Sequence, residues 1–245
     1  MMNAAAGIFL AARRKPTARS YVQDGLVAMW DGIENAGWGV HDSAATTWKD
    51  LAGARDAFVI NGGGFDSNSF TNNALENTPA WFSQALGVAE SRTIEFVFRL
   101  QATSANGYAI GCAGGTVMAS ADKVDSTHGG LYGVCFESNG SVIHFGNSYK
   151  YSIPIDKSIS VAYDYSVKSA YINGKATLPL GVTAYSTYDV YGRNRVPSIG
   201  GFAPGAQYNN FFVGHIYRIA YYSRALTADE IAANYAVDKA RFNLP

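Results

Sequence analysis

The stretch 183–196 concentrates Tyr185, Tyr188, Tyr191, Arg193 and Arg195. Tyrosine offers a flat apolar face with a polar tip and arginine a planar fork of donors, so the pair suits a sugar ring or a protein partner equally well. Both types are enriched at protein interfaces. The plain alternative is that the segment packs over its own domain. The remaining reactive residue types do not fall into a catalytic spacing. There is no G-x-S-x-G elbow to present a nucleophilic serine, and His41, His128, His144 and His215 stand in unrelated contexts. His215 reads as a core or edge side chain making a hydrogen bond. Gly62-Gly63-Gly64 lacks the helix and lysine of a phosphate loop. Cys112 and Cys135 have neither C-x-x-C spacing nor a histidine cluster, which argues against a sulfur-held zinc. Both a pair of buried thiols and a disulfide fit the strand-like runs they occupy.

The elements that would position these residues are mainly strands. From Phe212 to Tyr222 both alternating sets are largely apolar or aromatic, which predicts a central strand covered on both faces. Further strands are predicted at Gly25–Gly32, Ala57–Ile60, Ala80–Phe82, Thr93–Leu100, Tyr108–Cys112, Gly130–Phe136, Val142–Phe145, Ser158–Tyr165 and Ser169–Ile172. Asn61-Gly62, Asn139-Gly140 and Asn173-Gly174 supply the positive-φ pairs of two-residue hairpins. Glu95, the one acid inside a strong strand, is expected to face solvent. Thr227 and Glu230 form a capping box ahead of Ile231, and Ile231 and Tyr235 share one face, so a short helix should start there and lie on the sheet.

Lys plus Arg and Asp plus Glu both number 19, which leaves no net field to recruit nucleic acid or an anionic membrane. Aromatic residues at 13% and 26 glycines fit many strands joined by tight turns. Residues 1–20 read as an N-terminal arm and linker and 21–245 as one domain. In the arm, Arg13, Arg14 and Lys15 follow the apolar run instead of preceding it, so no signal peptide is expected, and the run is too short to span a bilayer. An arm is ordered when something ties it down, which points to a homo-oligomer or larger assembly.

Three segments carry a family resemblance. Gly25-Leu26-Val27-Ala28-Met29-Trp30 followed by Trp48-Lys49-Asp50-Leu51, the Tyr171-Ile172-Asn173-Gly174-Lys175 hairpin, and Gly214-His215-Ile216 through Arg224-Ala225-Leu226-Thr227 with Glu230-Ile231 and Asn234-Tyr235 resemble, in that order, the laminin-G-like (LamG) concanavalin A-like modules. Ala52 and Ala54-Arg55 depart from the serine and asparagine-rich turn that the family often carries. The resemblance implies an all-β, two-sheet antiparallel jelly-roll sandwich with a short C-terminal helix. It also implies a binding module without catalysis, directed at a glycan or a protein partner.

The same jelly roll hosts retaining glucanases whose carboxylates lie on one strand as E-x-D-x-x-E, and no such spacing occurs here. No cofactor is required. Calcium is possible, since many LamG-like domains hold it through loop oxygens: Asp31, Asp42 and Asp50 cluster near the first loop, with Asp122 and Asp125 in a later one. Calcium takes six to eight oxygens, and aspartates equally make turns and caps. The opening of the chain further resembles surface or virion proteins of gut bacteria and their phages. In that setting the module would adhere to host polysaccharide or serve as a structural subunit of capsid, tail or fibre.

Overall fold

The computed structural model describes residues 15–59, 63–72, 80–82, 93–103, 108–111, 134–137, 142–145, 149–152, 156–164, 169–176, 198–199 and 212–245. In chain order the strands are β1 (Leu26–Asp31), β2 (Thr47–Trp48), β3 (Ala57–Val59), β4 (Gly63–Phe65), β5 (Phe70–Asn72), β6 (Ala80–Phe82), β7 (Thr93–Thr103) and β8 (Tyr108–Gly111). They continue as β9 (Val134–Glu137), β10 (Val142–Phe145), β11 (Tyr149–Ser152), β12 (Ser158–Asp164), β13 (Ser169–Ile172), β14 (Lys175–Ala176), β15 (Ser198–Ile199) and β16 (Phe212–Tyr222), and a helix spans Ala228–Phe242.

The chain is mostly β and antiparallel. Among the described residues an eight-stranded sheet runs β14-β13-β12-β7-β16-β5-β4, with β1 also on β16, and two four-stranded sheets run β11-β10-β9-β8 and β15-β6-β3-β2. The central position expected for β16 is observed. It pairs with β7 along its whole length, and its other edge is divided: β5 takes Gly214–Ile216 and β1 takes Arg218–Tyr222.

Alternation along these strands gives the large sheet two different faces. One carries Trp30, Phe70, Phe96, Phe98, Val161, Ile216 and Ile219, all fully buried. Trp48 and Phe65 close over this face, with Trp48 stacked on Phe70 at 5.4 Å between centroids. Each such phenylalanine or isoleucine contributes roughly 1.5–3 kcal/mol by leaving water, so this face is the main core.

The other face consists of cross-strand rows. Ala162, Glu95, Ala220 and Met29 lie opposite one another in the first, Ser160, Val97, Arg218 and Asp31 in the second, and Ser158, Arg99, His215 and Thr71 in the third. The helix covers the first two rows. It starts where the capping box places it: Thr227 Oγ1 accepts from the Glu230 amide, and Glu230 Oε2 accepts from the Thr227 amide. It ends at Asn243, whose φ of 56° breaks the helical turn. Ile231 is buried against Met29, Ala220 and Tyr222, while Phe242 and Leu244 pack with Val97 and Tyr217.

The Asn173-Gly174 turn joins β13 to β14 with φ of 50° and 71°, the pair of positive values that a two-residue hairpin needs. Asn61-Gly62 and Asn139-Gly140 lie outside the described residues, as do Cys112 and residues 1–14. Ala18–Ser20 form a 3-10 turn flanked by Thr17 and Tyr21; Ala18 is fully buried, and Tyr21 is buried next to it.

Candidate functional site

Two groups of titratable side chains stand on the helix-bearing face. The first is closed between helix and sheet. Arg218 Nε and Nη2 donate to Asp238 Oδ1 and Oδ2 at 2.8 and 3.0 Å, and Nη1 donates to Glu95 Oε2 at 3.0 Å. All three side chains are at most 3% exposed. Asn234 Nδ2 adds a second donor to Glu95 Oε2, Ser160 Oγ donates to Asp238, and the Tyr21 hydroxyl donates to Asp238 Oδ1 with its ring 4.2 Å from the Arg218 guanidinium. Glu95 therefore does not face solvent as the strand pattern suggested. Its row points at the helix, and Arg218 provides the counter-charge that makes burial tolerable.

Burial pushes the Glu95 carboxyl up to about 7, with Arg218 opposing and Asp238 reinforcing the rise. Burial also acts to neutralise Arg218, but Asp238 and then Glu95 outweigh it and hold the guanidinium charged. Beside this triad, Arg241 donates to Asp31 Oδ1 at 2.7 Å and to Glu34 Oε1 at 2.9 Å. Burial raises Asp31, against the pull of Arg241. Glu34 is lowered: burial works the other way, but the Ala18 and Gly39 amides and Arg241 win. With Val22 N donating to Asn234 and Arg241 Nη1 to the Pro16 carbonyl, the network ties the segment 16–22, the helix and the sheet together. Two carboxylates flank one guanidinium here, but helix and sheet close over them, and their chemistry is that of a clamp.

The second group lies past the end of the helix, in the third row. His215 Nδ1 is 3.1 Å from Asp66 Oδ2 and 2.9 Å from Ser69 Oγ, and Ser69 Oγ donates to the same carboxylate oxygen at 2.9 Å. The expected hydrogen bond of His215 is thus present. A serine, a histidine and an aspartate in contact invite comparison with a hydrolytic triad, but the geometry differs. A triad places serine and aspartate on opposite ring nitrogens, so that the base faces the nucleophile. Here both meet Nδ1, and Ser69 is fully buried. Asp66 accepts from the Asn68 and Ser69 amides and, with its partners outweighing burial, is lowered; it fixes the proton on Nδ1 of the ring. Burial, and then the nearby Arg99 charge, lower His215, which favours the neutral ring.

The predicted loop residues are placed as follows. Asp31 Oδ1 accepts from the Ile33 and Glu34 amides and from Arg241. Asp50 accepts from the Met29, Ala52 and Arg55 amides, and Asp42 from the Ala44 amide. These are turn and strand-end contacts. Among the described residues no three or more His, Cys, Asp or Glu side chains come together as a metal site. Asp122 and Asp125, and the whole of Tyr185, Tyr188, Tyr191, Arg193 and Arg195, lie outside the described residues. Sequence reasoning missed the Arg218 clamp. Its signal was a charged residue of each sign on facing strands, Glu95 and Arg218, at positions whose neighbours of the same parity are apolar.

No protein-family model matches the chain, and no curated protein matches it in sequence. The fold is similar to solved structures at low identity. The sialidase of Trypanosoma rangeli in complex with 2,3-difluorosialic acid aligns over 92% of this chain and 34% of its own, at 16% identity and a TM-score of 0.62. The same sialidase in complex with sialic acid aligns over the same shares at a TM-score of 0.58 and 16% identity. The binding domain of botulinum neurotoxin DC, in complex with rat synaptotagmin II, aligns over 90% of this chain and 53% of its own, at 15% identity and a TM-score of 0.53. The chain spans about a third of the length of the sialidase chains. At these identities the likeness is one of fold, a β-rich sandwich. No helix among the described residues is long and apolar enough to cross a membrane.

Proposed function

We propose that this chain is a non-catalytic binding module, a LamG-like two-sheet jelly-roll sandwich that attaches to a glycan or a protein partner on a virion or cell surface. The observation that carries this reading is where the reactive side chains go. Glu95, Asp238, Arg218, Asp31, Glu34 and Arg241 are buried between helix, N-terminal turn and sheet, where they join these elements to one another. Contact residues concentrate on segments between strands. The segment 183–196, with its three tyrosines and two arginines, is the binding surface of choice. Similarity in fold to a toxin's binding domain supports a part that recognises a partner.

A broad glycan array, with and without calcium, tests this on the wild type and on Tyr188→Ala and Arg193→Ala variants of unchanged melting temperature. Saturable binding that the variants lose supports the module. Calcium dependence would bring the loop aspartates back as ligands. No binding, together with a stable oligomer by light scattering, would favour a structural subunit of capsid, tail or fibre, and turnover of any arrayed glycan would overturn the non-catalytic reading.

A further inference from the structure

The third row of the helix-bearing face holds a polar patch that the binding segment above does not include. Thr71, His215, Arg99 and Ser158 lie side by side across β5, β16, β7 and β12, each half-buried, because the helix ends short of them. Arg99 forms no ion pair and no side-chain hydrogen bond with any described residue, and its Nε is buried without an acceptor. A half-buried guanidinium without a counter-ion among the described residues has lost solvation with no described acceptor in exchange, and an anion with two oxygens relieves that. Its neighbour supplies a different contact. The His215 ring is stacked on Tyr217, 6.2 Å between centroids and 15° between planes, and its Nδ1 is held by Asp66 and Ser69. The ring orientation and tautomer are therefore set, and Nε2 is left as a lone-pair acceptor that no described residue bonds.

We propose that Arg99 and His215 form a binding site for a carboxylate-bearing saccharide, the Arg99 fork taking the carboxylate and His215 Nε2 accepting from an adjacent sugar hydroxyl. The pairing of one uncommitted cation with one oriented neutral acceptor fits a ligand that carries a single acid among hydroxyls. A strand-like peptide would instead seek unpaired backbone, and β16 and β7 have both edges paired here. Gly214 helps to build the site: its φ of 149° lets β16 press against the Arg99 carbonyl, where a Cβ would collide.

Calorimetric titration of the full chain at low salt, with tetragalacturonate and with its fully methyl-esterified form, tests the assignment. The acid should bind saturably and the ester about tenfold or more weakly, since esterification removes the charge that the Arg99 fork would take. Arg99→Gln should reduce the acid to the level of the ester. His215→Phe, which keeps the stack on Tyr217, should weaken both forms about equally, and Tyr188→Ala should change neither. Equal affinity for acid and ester, no binding of either up to about 10 mM, or wild-type affinity in a folded Arg99→Gln variant would each overturn the proposal. So would acetate competing as well as the tetramer, because the hydroxyls would then contribute nothing. If Arg99→Gln does not fold, the comparison of acid with ester on the native chain decides. Failure here with glycan-array binding that Tyr188→Ala abolishes would leave the module reading intact.

Discussion

Arg218 on β16 and Asp238 on the helix form a two-pronged pair, Nε to Oδ1 at 2.8 Å and Nη2 to Oδ2 at 3.0 Å, with both side chains fully excluded from water. Such a pair contributes modest net stability when intact, because desolvation offsets the attraction, but its rupture leaves an uncompensated buried charge. Arg218→Met strands Asp238 and Glu95 together. The expected loss is about 3–5 kcal/mol in urea unfolding, and the near-ultraviolet signal of Tyr21 and Tyr222, which contact this network, should change with it.

Stability should depend on pH through Glu95. Its folded pKa of about 7 lies above the ordinary glutamate value, so between that value and about 7 the folded state binds more protons than the unfolded one. The stabilisation is complete at lower pH and is lost as pH rises through about 7. Unfolding measured at about pH 5 and about pH 8 should differ by roughly 1–3 kcal/mol from this group, with the lower pH favoured. Glu95→Gln keeps an acceptor for Arg218 and Asn234 and should flatten that dependence. An unchanged slope in the variant would show that other groups set it.

At the helix start, Thr227→Ala removes the acceptor for the Glu230 amide. The expected cost is about 1 kcal/mol. Glu230 is held down to about 2, first by its hydrogen bond from Arg224 and then by the Thr227 amide. The Arg224 pair survives this substitution, so the loss in thermal unfolding should stay near the value for a single cap.

Gly174 at the β13–β14 turn has φ of 71°, and a Cβ there would lie 2.8 Å from Cδ1 of Tyr235 on the helix. Gly174→Ala should cost about 1–2 kcal/mol from backbone strain alone, plus whatever the displaced tyrosine ring loses. Hydrogen exchange should show the loss at β13 and at the helix together, since the turn touches both.

How legible this was in the sequence depended on the kind of signal. Apolar side chains in both parities located β16 to the residue, because a strand covered on both faces carries them, and the short strand-like runs at 142–145 and 169–172 coincide with β10 and β13. The Thr227–Glu230 box located the helix start because capping is local. The Asn173-Gly174 turn followed from the conformational freedom of two residues. The clamp was hidden for a physical reason: Glu95, Arg218 and Asp238 are far apart in sequence, and each alone reads as a solvated charge. Only register, which sets Ala220 opposite Glu95 and Arg218 opposite Val97, brings them under one helix. The Ser69–Asp66–His215 cluster was hidden likewise, joined across a separation of 146 residues.

The placement of β16 also governs when this protein can fold. Three strands from the first half of the chain, β1, β5 and β7, hydrogen-bond to it, and Tyr21 waits for Asp238 on the helix that follows. During synthesis, β1 and β5 leave the ribosome without their partner, and the eight-stranded sheet cannot close until Tyr222 has emerged. The strand on which the sheet depends follows β1, β5 and β7 in the chain, so the sheet closes late relative to their synthesis and slowly, in the manner of folds built from distant contacts. Over that interval the unpaired edges of β1, β5 and β7 are open to a neighbouring copy, and nascent chains of this protein are a natural client for chaperones.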